Sequence, residues 1–316
     1  MLRGRAPREY ARRTIEGGPF FSVKPPPFDY HAPSSLQEAL ELLGQFGTDA
    51  KVLAGGQSLV PLLNLRLARP AHLIDINGLE SEIGQVRTNN GGLAIGAMTR
   101  QRTAEKSSVI SERYPLLAEA LPLIGHIQIR NRGTIGGSLA HADPASELPA
   151  VALVLDADLV VRSKSRGERV IKADSFFVSF LTTALEPDEL LVEVRLPGWP
   201  SGAGWSYQEI SRRHGDFAMV GVACLVRLNA GGAIAEARLA YTGAAPSPVR
   251  SREAEQFLAG QQPSTDAFAE AAEHAAKVLD PASDVHASAA YRLHVAKVLT
   301  RRALQVAVSR ATGGAA

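Results

Sequence analysis

The residues best suited to chemistry lie in two short stretches far apart in the chain, Ala54-Gly55-Gly56-Gln57-Ser58 and Thr134-Ile135-Gly136-Gly137-Ser138. Each places a glycine pair ahead of a hydroxyl residue at the entry to an expected helix. A glycine pair frees the backbone and removes the Cβ atoms that hold a ligand away. Successive N–H groups can then converge on an anion, with Thr and Ser hydroxyls as further donors. One such turn holds one phosphate, and taken singly it reads equally well as a tight surface turn before a helix. Two facing each other would clamp a pyrophosphate from both sides with uncharged donors, which suits a dinucleotide. On this reading a side chain at Gly136 intrudes on the diphosphate, so Gly136→Val is expected to abolish binding and spare the fold.

Other chemistry is poorly served. There is no G-x-G-x-x-G opening a helix and no G-x-x-x-x-G-K-[ST], so neither a Rossmann pocket nor a P-loop is signalled. Ser138, His141 and Asp143 cluster with the residue types of a hydrolase triad, but no G-x-S-x-G elbow accompanies them and triad members normally come from separated segments. The histidines show no paired ligand spacing that would signal a metal. The one cysteine, Cys224 in an apolar segment, excludes a disulfide within the chain and an all-cysteine iron–sulfur site built by it alone. A reducing cytoplasm fits that count.

The chain has 316 residues, enough for two domains or one large one, and 45% of them are hydrophobic, a globular fraction. A formal net charge of +2 does not point to nucleic acid or an anionic membrane as main partner, and no apolar run is long enough for a membrane span.

The elements that must position the two turns follow from periodicity. Residues 1–23 carry Arg3, Arg5, Arg8, Arg12 and Arg13 without apolar patterning. No h-region follows Arg12-Arg13, so an export signal is rejected and a loosely ordered extension is expected. After the extended 24–30 segment with its three prolines, Ser35 and Glu38 predict a capping box for a helix stopped at Gly44. Strands are expected at 50–53 and 73–76, with a short helix at 59–67 between them. Further strands are expected at 91–97, 158–163 and 190–196. A buried helix is expected at 115–124, and another runs from Glu147 to Leu155 with Ser146 as its cap. Pro197-Gly-Trp-Pro-Ser-Gly-Ala-Gly204 marks a boundary. Beyond it come strands at 205–211, 218–228 and 234–241, a hairpin turn at 229–232, and helices at 253–258, 265–279 and 288–308. The fold class is α+β. The extension (1–23) precedes a two-subdomain binding region (24–77 and 78–200) and a small antiparallel sheet covered on one face by helices (201–316).

Taken together, Ala54-Gly-Gly-Gln-Ser-Leu59, Thr134-Ile-Gly-Gly-Ser138 and Gly215-Asp216-Phe217-Ala218, in that order, resemble the FAD-binding medium subunit of molybdenum hydroxylases. That family includes the medium subunit of aerobic carbon monoxide dehydrogenase and the flavin domain of xanthine dehydrogenase. The resemblance extends over about residues 24–308 and takes in Asn64-Leu-Arg66, Leu73-Ile-Asp-Ile76, Ile95-Gly-Ala97 and Arg212-Arg213-His214.

The resemblance implies a PCMH-type FAD fold. Lys51, Val52, Leu53, Ala54, Gly55, Gly56, Gln57, Ser58 and Leu59 would wrap the diphosphate and ribose. Gly133, Thr134, Ile135, Gly136, Gly137 and Ser138 would close over it. Glu147 falls where the family directs an acid at the FAD, although it also suits a helix start. Ile124 and Phe217 fall beside the isoalloxazine and Leu191 near the adenine; on sequence alone each of these three reads as core. Two positions depart from the pattern: Glu209 stands where many members carry Lys, and Phe217 lacks the hydroxyl of relatives with Tyr.

By resemblance the chain is the electron-transfer subunit of a heterotrimeric enzyme. Its partners would be a molybdopterin-binding large subunit and a small subunit with [2Fe-2S] clusters, in a dimer of heterotrimers. FAD would pass electrons to quinone, NAD or oxygen, in the cytoplasm or at the inner face of the membrane. A self-sufficient FAD oxidase and a non-redox nucleotide-binding module remain as alternatives.

Overall fold

The computed structural model describes residues 24–314, so the expected N-terminal extension and the last two residues lie outside the described part. The first lobe is a three-stranded parallel sheet with His72–Asp75 at its centre and Asp29–His31 and Ala50–Leu53 on its edges. The helix Leu36–Phe46 lays Leu36, Ala39, Leu40 and Leu43 on this sheet against Ile74 and Ile76. Ser35 caps it by accepting from the Glu38 amide at 3.2 Å. The Glu38 carboxylate reaches back to the Ser34 amide (2.7 Å) instead of Ser35, so the expected box is displaced by one residue. The helix also passes through Gly44, which faces open space, and ends at Gly47 in the left-handed region with φ 49°. The second helix, Leu59–Asn64, is shorter than its apolar run, because the chain turns at Arg66 (φ 57°).

The second lobe is a five-stranded antiparallel sheet in the order Val86–Asn89, Gly92–Gly96, Glu189–Leu196, Asp158–Ser163, Gly167–Lys172. Its two edge strands escaped the sequence reading because both are largely solvent-facing and lack an apolar alternation. Pro115–Ala120, Ile135–His141 and Glu147–Val154 are its principal helices. Every residue of Glu147–Val154 is buried.

The third unit explains that burial. Strands Gly204–Ile210, Val220–Leu228, Ile234–Thr242 and Val249–Arg250 pair antiparallel in chain order. The middle strand alternates strictly: Val222, Cys224 and Val226 face the helices Arg252–Leu258, Thr265–Ala276 and Ala289–Ala311, while Ala223 and Leu225 join the core around Glu147–Val154. The sheet is therefore covered on both faces and not on one as the sequence suggested. Among the described residues no helix is long and apolar enough to cross a membrane.

Candidate dinucleotide cleft

A cleft of about 920 Å³ runs between the two lobes and is bordered also by Gly215-Asp216-Phe217 from the third unit. The two glycine turns form its waist. A Cβ on Gly55 would stand 2.4 Å from the Arg132 carbonyl oxygen and 2.8 Å from the Gly133 Cα, and one on Gly137 would meet the Ala54 Cβ at 3.6 Å. Gly56 lies in the left-handed region (φ 74°) and lets the chain turn away from the strand end.

The turns contribute differently. The amides of Gly56, Gln57 and Ser58 find no acceptor among the described residues, so the first turn presents free donors. Thr134-Ile-Gly-Gly is not a loop but the first turn of the helix Ile135–His141, with Thr134 as N-cap accepting from Gly137 N at 3.0 Å. Its other amides are spent too: Ile135 N on Thr99 O (3.0 Å), Gly136 N on Ala97 O (2.8 Å) and Ser138 N on Thr134 O (3.1 Å). The expectation that both turns offer N–H groups is corrected. The second supplies a wall of small residues.

Gly136 is also placed differently from the expectation. Its Cβ would stand 2.4 Å from the Ala97 Cβ and 2.8 Å from the Ala97 Cα. The missing side chain lets the helix seat on the end of Gly92–Gly96, so a valine there breaks packing before it meets any ligand.

Of the residues singled out from the sequence, 51–52, 54–59, 133–134 and 136–138 border the cleft, as do Ile124, Glu147, Leu191 and Phe217. Leu53 and Ile135 do not. Leu53 packs beneath Gly56, and Ile135 belongs to the second-lobe core. Ile124 (7% exposed) and Leu191 (3%) are core residues that reach the cleft wall, whereas Phe217, at 60% exposure, stands at the mouth. Gly215 (φ 89°) makes that placement possible, since a Cβ there would lie 2.4 Å from the His126 ring.

Three supporting residues carried no sequence signal, because each is tied to at least one partner distant along the chain. Asn77 donates to the Ala54 carbonyl (2.8 Å) and accepts from Arg100 (2.8 Å), which in turn donates to the Arg132 carbonyl (2.6 Å). One side chain-linked path thus joins both turns. Arg130 donates to the carbonyls of Ile124 and Gly125 (2.9 Å each) and is held by Glu105 at 2.8 Å.

The electrostatics are most unusual around Glu147. Burial, and then the charge of Glu209, push the Glu147 carboxyl up to about 8. Burial pushes Glu209 up to about 7, and the Tyr207 phenol rises far above its ordinary value for the same reason. The Ser138 hydroxyl pairs with Ser146 at 3.0 Å, and His141 sits 4.0 Å from Asp143. No hydrolase relay is assembled. The Ser146 hydroxyl, being engaged by Ser138, does not cap its helix.

Residues 26–199 match the family described as the FAD binding domain in molybdopterin dehydrogenase, and residues 205–307 match the CO dehydrogenase flavoprotein C-terminal domain. The chain belongs to the FAD-binding medium subunits of the molybdenum hydroxylases. It is therefore an oxidoreductase subunit whose cofactor is FAD. It is 46% identical to the 6-hydroxypseudooxynicotine dehydrogenase complex subunit alpha of Paenarthrobacter nicotinovorans over 92% of this chain and 97% of that one. It is 41% identical to the carbon monoxide dehydrogenase medium chain of Hydrogenophaga pseudoflava, over 90% and 99%. A solved structure of carbon monoxide dehydrogenase from that organism, lacking the Mo-pyranopterin moiety of its molybdenum cofactor, superposes with a TM-score of 0.88 at 42% identity, covering 90% of this chain and 99% of the other. The cleft suits the family's cofactor: free amides at a waist lined by glycines accept a diphosphate without charged side chains.

Proposed function

We propose that the chain holds FAD with its diphosphate at the Gly55–Gly133 waist and passes electrons from [2Fe-2S] clusters on a small subunit to quinone, NAD or oxygen. A molybdopterin-binding large subunit oxidises the substrate, and two such heterotrimers assemble in the cytoplasm. In this reading residues 51–59 bind the diphosphate and ribose, and 133–138 close over them. Leu191 packs near the adenine, Ile124 and Phe217 flank the isoalloxazine, and Glu147 faces the cofactor. Residues 24–77 and 78–200 act as the two binding lobes, with 201–316 bracing them.

The observation that carries this reading is the waist itself, where unpaired amides of one turn lie against the small-residue wall of the other. The chain's own work is to bind, to orient and to exclude water. Bound FAD supplies the step between single-electron carriers and a two-electron acceptor. None of this asks the protein for a nucleophile.

The test is purification of the complex with its co-produced subunits. A yellow flavin spectrum on this chain, and oxidation of chemically reduced clusters through it, support the reading. Turnover of an organic substrate by this chain alone supports the self-sufficient oxidase, and a colourless protein that still binds nucleotides supports the non-redox module.

A further inference from the structure

Beside the cleft, Glu147, Glu209 and Tyr207 are short of well-formed hydrogen-bond partners. Glu147 is 2% exposed yet borders the cleft, and no other described residue bonds to its carboxyl. Glu209, on Gly204–Ile210, buries an Oε2 atom without a partner. The Tyr207 hydroxyl, two residues away on the same face of that strand, reaches toward Glu209 and Thr242 but forms no well-aligned hydrogen bond. Glu209 lies in register with Gly221 and Gly221 with Thr242, whose hydroxyl donates to the carbonyl of Ser146, the residue before Glu147.

The surrounding charges do not relieve this. Asp143 and Glu209 both press Glu147 toward its neutral form. Arg130 opposes them, but its guanidinium is engaged by Glu105 and two backbone carbonyls. Among the described residues no Lys or Arg pairs with Glu147 or Glu209. Thr242 is uncharged, and His141, beside Asp143, is driven toward its neutral form by burial. Two like charges in a dry site cannot both persist, so the pair retains a proton near neutrality.

We propose that Glu147 and Glu209 form a proton store for the cleft, holding one dissociable proton between them and binding it more tightly when negative charge enters the bound dinucleotide. This rests on the FAD reading above. The balance is one H⁺ from water onto a carboxylate oxygen against the charge of one electron delivered by a reductant, the reduced iron–sulfur partner or dithionite. When the electron leaves, the proton returns to water. Asp143 and His141, both about a quarter exposed at the cleft edge, offer the exchange route. Glu147 borders the cofactor site, while Glu209 acts through it as a positioning residue.

The experiment has two arms. In flavin-free protein, infrared difference spectra from about pH 5 to about pH 9 are expected to show a protonated carboxyl band that persists past neutrality. Glu147→Gln and Glu209→Gln each keep the shape of the neutral acid and each remove part of that band. Glu209→Gln also lowers the proton affinity of Glu147, by about tenfold, or about one pH unit, because a negative neighbour is gone. Complete ionisation of the wild type below neutral pH overturns the store whatever the flavin does. In the loaded protein, the flavin midpoint potential in a dithionite titration is expected to bend with pH between about 7 and about 8. In Glu209→Gln the bend moves to lower pH. Superimposable curves for wild type and both variants overturn the coupling, and a protein that takes up no FAD overturns the cofactor reading while the infrared arm still reads the pair.

Discussion

Gly55 and Gly133 meet backbone to backbone across the two lobes, with no room for a side chain on the first: its Cβ would lie 2.8 Å from the Cα of the second. Loss of that contact separates the turns. Gly55→Ala is expected to cost about 2 kcal/mol of stability through overpacking and to weaken flavin retention at least about tenfold. The flavin-to-protein absorbance ratio and the denaturant midpoint check this. Full flavin content at unchanged stability contradicts the contact.

Gly136→Val acts on the fold. Its side chain meets Ala97 at the end of a core strand, so a loss of about 3 kcal/mol or more is expected. The denaturant midpoint of flavin-free protein measures it without reference to binding. A variant as stable as the wild type places the helix wrongly.

Asn77→Ala removes the bonds to the Ala54 carbonyl and to Arg100. We expect about 1–3 kcal/mol of destabilisation and about tenfold weaker FAD binding, since the free amides of the first turn lose the support behind them. Equilibrium dialysis against FAD reads the second effect. Unchanged affinity would show that the turn holds its shape unaided.

Thermal stability of the flavin-free protein is expected to fall as pH rises through neutrality. Glu147 and Glu209 titrate at about 8 and about 7 in the folded chain against an ordinary 4.5. Between those limits the folded state binds more protons than the unfolded one, so stability decreases with rising pH. The contribution is full below the ordinary value and gone above about 8. Glu147→Gln should flatten the decline. At the acid end Asp284 behaves oppositely: the amides of His286 and Ala287 lower it from 3.8 to about 2, so its contribution is lost as pH falls through that value.

Much of the architecture was legible because it is local. The helix Leu36–Phe46 announces itself by its apolar spacing, and the antiparallel strands of the third unit by their alternation and turn residues. The exposed edge strands Val86–Asn89 and Gly167–Lys172 were silent, since a strand with one wet face and a polar sequence leaves no period to read. The glycine turns stood out by composition, but composition does not distinguish a free amide from one already spent. That is why the turn at Thr134 reads, from sequence alone, as a donor loop.

The sequence by itself determined that two glycine pairs would be brought to helix entries, because the flanking apolar runs demand packed elements. Only the tertiary structure decided which atoms each pair exposes, that Asn77 and Arg100 link them, and that Glu147 and Glu209 lie together in the dark. Local rules act over a few residues. Close packing between lobes chooses which distant groups must share one dry space, and in that space their proton affinities change.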